Sequence, residues 1–144
     1  MVSAMRLDPF HQNMADISFE EAVQLSIRRD PRYQAEAYEF VRTALHVAVK
    51  QFCNGDEGQH VGGRDLLEGV RSHALKEYGP MALFILRQWG VQQGIDVGHI
   101  VYNLISAGYF GKSDGDSLDD FADGYDFDVA FTTPFLPQNG NFLS

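Results

Sequence analysis

Few residues in this chain could do chemistry. They are His46, His60, His73 and His99, the single cysteine Cys53, and the aspartates Asp114, Asp116, Asp119, Asp120 and Asp123. Histidines that share a metal on one helix stand four apart. None of these four does, and no His-Glu-x-x-His motif occurs. Cys53 and His46 are seven residues apart, about 10 Å by helical rise, too far for the hydrogen bond that would activate a thiol. The aspartates could offer oxygens to a hard cation. A twelve-residue calcium loop needs a ligand at its fifth position, where Leu118 stands, and a closing glutamate that is missing. Gly62-Gly63 ahead of a helix could present amides to an anion. The longer glycine pattern with Lys-Ser or Lys-Thr is absent, and Arg64 and Arg71 alternate with Asp65 and Glu68, which predicts ion pairing on a helix surface. The residues therefore predict no metal, no cofactor and no catalytic group.

The elements that position these residues read as helices. Ser18 and Glu21 have capping-box spacing, and Phe19, Val23 and Ile27 form one face of a short helix that ends at Asp30-Pro31. Residues Tyr33 to Phe52 carry a broad apolar stripe without Gly or Pro, so a long helix is predicted there. Asn54 to Gly58 reads as a loop, and Gln59 to Val61 as a very short strand. Helices follow over Arg64–Tyr78, Met81–Trp89 and Ile95–Ala107, punctuated by Gly79-Pro80, Gly90 and Gly108. From Tyr109 the texture changes. Tyr109 to Lys112 reads as a strand, Ser113 to Ser117 as a turn, and Tyr125 to Phe127 as a return strand. Phe121, Tyr125, Phe127 and Phe131 punctuate the acidic stretch and predict that it is docked on the domain. The expectation is a mainly α fold of about five helices with a small C-terminal β-hairpin. A flexible arm is expected over 1–16, one domain over 17–131 with the acidic hairpin from about 109, and a flexible tail over 132–144.

Composition sets the class. The chain has 144 residues, 44% of them hydrophobic, enough to bury a core without staples. The net charge of −9 is uneven. Eight aspartates and one base, Lys112, lie in residues 96–144, so the last third accounts for −7 of it. That sign argues against nucleic acid and anionic membranes as partners. A lone cysteine, no apolar leader in residues 1–12 and no apolar run of ~18 residues predict a cytoplasmic protein without a membrane span.

Two resemblances arise. Met81 to Val91, Asp96 to Gly108 and Tyr109-Phe110 resemble the helix–turn–helix and first strand of a winged helix, with Ser113 to Ser117 as the wing tip. The helix that would read DNA bears Asp96, His99, Asn103, Ser106 and Tyr102 but no Arg or Lys. Arg28, Arg29 and Arg32, interrupted by Asp30, form the only basic cluster. The second resemblance is carried by Asp30-Pro-Arg-Tyr33, Ala37-Tyr-Glu-Phe-Val41, His60-Val-Gly-Gly-Arg-Asp-Leu-Leu-Glu-Gly69, Tyr78-Gly-Pro-Met-Ala82, Trp89-Gly-Val91 and Tyr125-Asp-Phe127. Together these motifs resemble a family of uncharacterised bacterial proteins restricted to the verrucomicrobial and planctomycete group. The resemblance implies a bacterial origin and an unassigned cytoplasmic role. It brings no catalytic residues.

The residues point to a non-enzymatic protein-interaction or regulatory module with an acidic aromatic C-terminal face. Tyr102, Phe121, Tyr125 and Phe127 are the expected contacts, and Asp119, Asp120 and Asp123 would complement a basic protein partner. The alternatives are a winged-helix DNA-binding regulator and an enzyme with an unfamiliar site. A buried pocket uniting two of His46, His60, His73 and Glu68 would favour the enzyme.

Overall fold

The computed structural model describes residues 17–52, 61–111, 118–122 and 124–136. Helix α1 (Phe19–Arg29) opens on the capping box that its sequence spells. The Glu21 amide donates to Ser18 Oγ at 3.1 Å, and the Ser18 amide donates to Glu21 Oε1 at 3.0 Å. Arg28 and Arg29 close it, cations at the negative end of the helix dipole. Tyr33 belongs to the linking turn rather than to the next helix, because the Gln34 amide donates to the Trp89 carbonyl and holds the turn against a distant element.

Helix α2 (Ala35–Phe52) is the central support. Ala37, Tyr38, Phe40, Val41, Ala44, Leu45, Ala48 and Val49 are all buried along it. It packs on α3 (Gly63–Tyr78) through small residues. A Cβ at Gly69 would come within 2.5 Å of the Ala44 carbonyl oxygen, so only glycine permits this approach. A 3-10 turn (Gly79–Met81) leads into α4 (Ala82–Gln88), with Gly79 at φ +52 as the stop and Pro80 in the first turn. Gly90 then takes φ +97 directly beneath the Arg32 carbonyl, where a side chain would collide. Helix α5 (Gly94–Ser106) follows, buried through Val97, Ile100, Val101 and Leu104. The core lies between α1, α2, α3 and α5. Among the described residues no helix is long and apolar enough to cross a membrane.

The C-terminal hairpin is not what the chain forms. Tyr109 and Phe110 make the turn that ends α5: the Gly108 amide donates to the Ile105 carbonyl and the Tyr109 amide to Leu104. Tyr109 then sets its ring against Phe19, with centroids 5.2 Å apart, and Phe110 is buried. The expected return strand is instead the entry to a helix. Asp126 caps α7 (Phe127–Thr132), its Oδ1 accepting from the amides of Asp128 at 2.8 Å and Val129 at 3.4 Å. An N-cap that satisfies two orphan amides outweighs the strand preference of Tyr-Asp-Phe. A one-turn helix α6 (Asp119–Ala122) lies between, and a 3-10 turn (Thr133–Phe135) continues α7 into what reads in sequence as tail. The winged-helix reading thus loses its return strand. The wing tip, the arm over 1–16, the Asn54–Gly58 loop, Gln59-His60 and the last eight residues lie outside the described residues.

Candidate interaction surface

The acidic segment is docked, and its aromatics do the docking. Phe121 is fully buried in a socket built of glycines. A Cβ at Gly98 would lie 2.8 Å from its ring, one at Gly94 would lie 2.7 Å from its carbonyl oxygen, and one at Gly63 would lie 3.3 Å from the ring. The socket is formed by the first turn of α3 and the first half of α5. Tyr125 donates its hydroxyl to the Leu67 carbonyl at 2.6 Å. Burial, reinforced by Glu68 and opposed by Arg71, pushes that hydroxyl well above the usual phenol range. Tyr125 stacks on Phe127 at 5.5 Å, and Phe131 meets both rings edge-on. Phe127 and Phe131 are buried.

Of the predicted contact residues, Phe121, Tyr125 and Phe127 are therefore brought together, but facing inward. Asp119 is exposed, and Asp120 is half-buried with its Cβ 2.9 Å from where a Gly63 Cβ would be. Tyr102 is half-buried against the core, and Asp123 lies outside the described residues. The expected aromatic face is in large part an internal seam.

The large hydrophobic side chains left in solvent stand elsewhere. Met81, Phe84, Val129, Phe135 and Leu136 are each 45% to 58% exposed. They sit on α4, α7 and the two 3-10 turns, elements that pack on one another. Three of them, Phe84, Phe135 and Leu136, line a groove of about 350 Å³ together with Pro80, Leu83, Arg87, Phe131 and Thr132. Its charged rim is one ion pair, Arg87 Nη2 to Asp128 Oδ1 at 2.8 Å, with both side chains well exposed. Sequence reasoning missed this face. Every residue of α4 from Ala82 to Leu86 is apolar, so its pattern does not say which side is covered.

A second concentration of polar groups joins the α1–α2 turn to α5. Arg32 grips Asp30 through two 2.7 Å hydrogen bonds, and Asn103 donates to both Asp30 and the Tyr38 hydroxyl. The hydrogen bond from Arg32 holds the Asp30 carboxyl well below its ordinary range, against the opposing pull of burial. Tyr33, buried, donates to Asp96 Oδ1 at 2.6 Å and lies 3.1 Å from His99 Nδ1. Burial, then the bond to Asp96, pushes the Tyr33 hydroxyl far up. Asp96 Oδ2 already accepts from the amides of Gln92 and Gln93 at the start of α5. The Asp96 carboxylate thus ties the buried Tyr33 hydroxyl to the first turn of α5. The cluster locks a turn onto a helix.

The other candidates are dispersed. His46 is exposed on α2, its pKa lowered by partial burial and then by Arg42 and Lys50. His73 rests on the Phe40 ring in a cleft with Lys50 and Lys76. Glu68 pairs with Arg71 at 2.7 Å, away from that cleft. Cys53 and His60 lie outside the described residues, among which no three His, Cys, Asp or Glu side chains gather as a metal site would require. Comparison with protein-family models, with curated proteins and with solved structures found no match for this chain.

Proposed function

We propose that this chain is a non-enzymatic protein-interaction module, and that its binding face is the apolar surface of α4, α7 and the C-terminal 3-10 turn. One observation carries the reading: three large hydrophobic side chains, Phe84, Phe135 and Leu136, each about half exposed, line one groove with Pro80, Leu83 and Phe131, and the exposed Met81 and Val129 stand on elements that pack beside it. Single exposed hydrophobics are ordinary on any protein surface, whereas a contiguous apolar patch rimmed by polar groups marks a contact site. The aromatic rings at 84 and 135 are the anchors such interfaces favour. Placing the face here moves it from the acidic segment, whose aromatics are spent on the fold.

Site-specific photocrosslinking tests this. A photoreactive phenylalanine at position 84 or 135 of the full chain, in cells of the source organism, should give a discrete crosslinked protein. The same group at Glu39, exposed on α2, should not. The same adduct pattern from all three positions, or no adduct from any, would overturn the reading.

A further inference from the structure

We infer that the cleft between α2 and α3 binds a small phosphomonoester, a phosphate carried on a compact apolar body. The site is separate from the face on α4 and α7, and its test does not depend on that reading.

The cleft measures about 430 Å³, within the size range of small-molecule sites. Charge is the first observation. The chain has three lysines, and two of them, Lys50 on α2 and Lys76 on α3, line this one cleft. Each stands in the last turn of its helix, where a cation suits the helix dipole. The dipoles of two helices do not require both ammonium groups to border the same cavity. Among the described residues neither lysine has an ion pair or a hydrogen bond. Most other cations are already engaged. Arg32, Arg71 and Arg87 hold carboxylates, Arg42 lies 4.1 Å from the centre of the Phe19 ring, and Arg29 donates to the Ser106 carbonyl. Arg28 shares its groove with Glu20 and Glu21. Glu77, the one acid in the lysine cleft, pairs with neither lysine, so the lining carries two cations against one acid. The net charge of −9 repels a long polyanion, but a small ligand responds to the nearest charges, because fields are screened over about 8 Å at physiological salt. A phosphomonoester carries about −1.5 to −2 charges at neutral pH and so balances two ammonium groups, where a carboxylate balances one.

Donors and shape are the second observation. Half-buried Ser72 and exposed Gln51 add a hydroxyl and an amide to the lining, and a tetrahedral phosphate has three terminal oxygens to engage them and the lysines together. His73 contributes an imidazole that packs on Phe40, ring centroids 5.2 Å apart, and Phe40 in turn is braced by Tyr78 and Trp89. With Val47 this ring gives the cleft an apolar wall beside its cations. A bare anion leaves that wall in water. An ester with a small apolar body covers it.

Titration of the 15N-labelled full chain with phenyl phosphate, followed by two-dimensional amide NMR, tests the site, with phenol and inorganic phosphate as controls. Phenyl phosphate should saturate at about millimolar concentration and move the amides of Val47, Lys50, Ser72, His73 and Lys76. Inorganic phosphate should bind at least about 5-fold more weakly, and phenol should not saturate. Lys50→Gln and Lys76→Gln should each weaken binding about 10-fold and together abolish it, with the helical circular dichroism unchanged. Lys50→Arg should keep most of the affinity, because the charge remains. Glu77→Gln should tighten binding about 2-fold to 3-fold by removing the one repelling carboxylate. No saturation by phenyl phosphate, shifts confined to other surfaces, or a double variant that binds like wild type would each overturn the site. Phenol or inorganic phosphate binding as tightly as phenyl phosphate would overturn the assignment of a phosphomonoester.

Discussion

The glycine socket around Phe121 makes a sharp prediction, because the ring and its surroundings can be altered from both sides. Removing a fully buried phenylalanine costs about 3–5 kcal/mol, from lost transfer energy and the cavity left behind. The segment carrying Phe121 is short and can partly collapse or undock, so Phe121→Ala should cost about 3 kcal/mol, the lower end of that range. Against a total stability of about 5–15 kcal/mol, this is a large shift in the denaturation midpoint. Gly98→Ala should do the opposite of what helix propensity says. In an open helix it would gain about 1 kcal/mol. Here the new Cβ would meet the Phe121 ring at 2.8 Å and Leu118 Cδ2 at 2.9 Å, so the variant should lose about 1–2 kcal/mol, the cost of overpacking. With the ring gone the clash is largely relieved, because Leu118 can rotate away. In the Phe121→Ala background Gly98→Ala should therefore be neutral or stabilising, a coupling of about 2 kcal/mol. Urea denaturation followed by far-ultraviolet circular dichroism on the four proteins of the cycle measures it. Additive effects, or a Phe121→Ala loss under about 1 kcal/mol, would refute the socket and with it the docked acidic segment.

Two further outcomes follow from the polar cluster. Asp30 has a folded-state pKa below its ordinary value of 3.8, so the unfolded chain binds the extra proton in acid. Its contribution is present above that ordinary value and lost as pH falls below it, and Asp30→Asn should flatten the acid limb of a stability–pH curve; an unchanged limb would dismiss the pair with Arg32 as a stabilising element. Tyr33→Phe strips Asp96 Oδ1 of its 2.6 Å donor in a largely buried setting and should cost about 1–3 kcal/mol in thermal or urea unfolding; a cost near zero would mean that water replaces the hydroxyl.

The helices were legible because their signals are local. Ser18 with Glu21, the unbroken stripe after Tyr33, and glycine followed by proline at 79 and 80 each act within a few residues, and the chain obeys them. The hairpin was misread for a reason of the same kind. Tyr-Asp-Phe at 125–127 looks like strand by residue preference, yet the aspartate between the aromatics is a helix cap, and capping prevailed. The candidate face was illegible. Phe84 lies in a stretch apolar on every side, and Phe135 and Leu136 read as tail, so nothing in their own neighbourhoods says that α7 would pack beside α4 and leave them bordering one groove.

The sequence by itself determined the helical class, the starts and stops of the first five helices to within a few residues, and a charge balance concentrated in the last third, because these depend on side chains acting on their own backbone or merely summing. Only the tertiary structure decided which apolar side chains are spent on the core and which remain in solvent. Phe121 and Phe84 are the same residue type, one fully buried among Gly63, Gly94 and Gly98, the other 55% exposed on α4. Their fates part because burial is a property of what a distant segment brings within reach, and that partner is not written beside either residue.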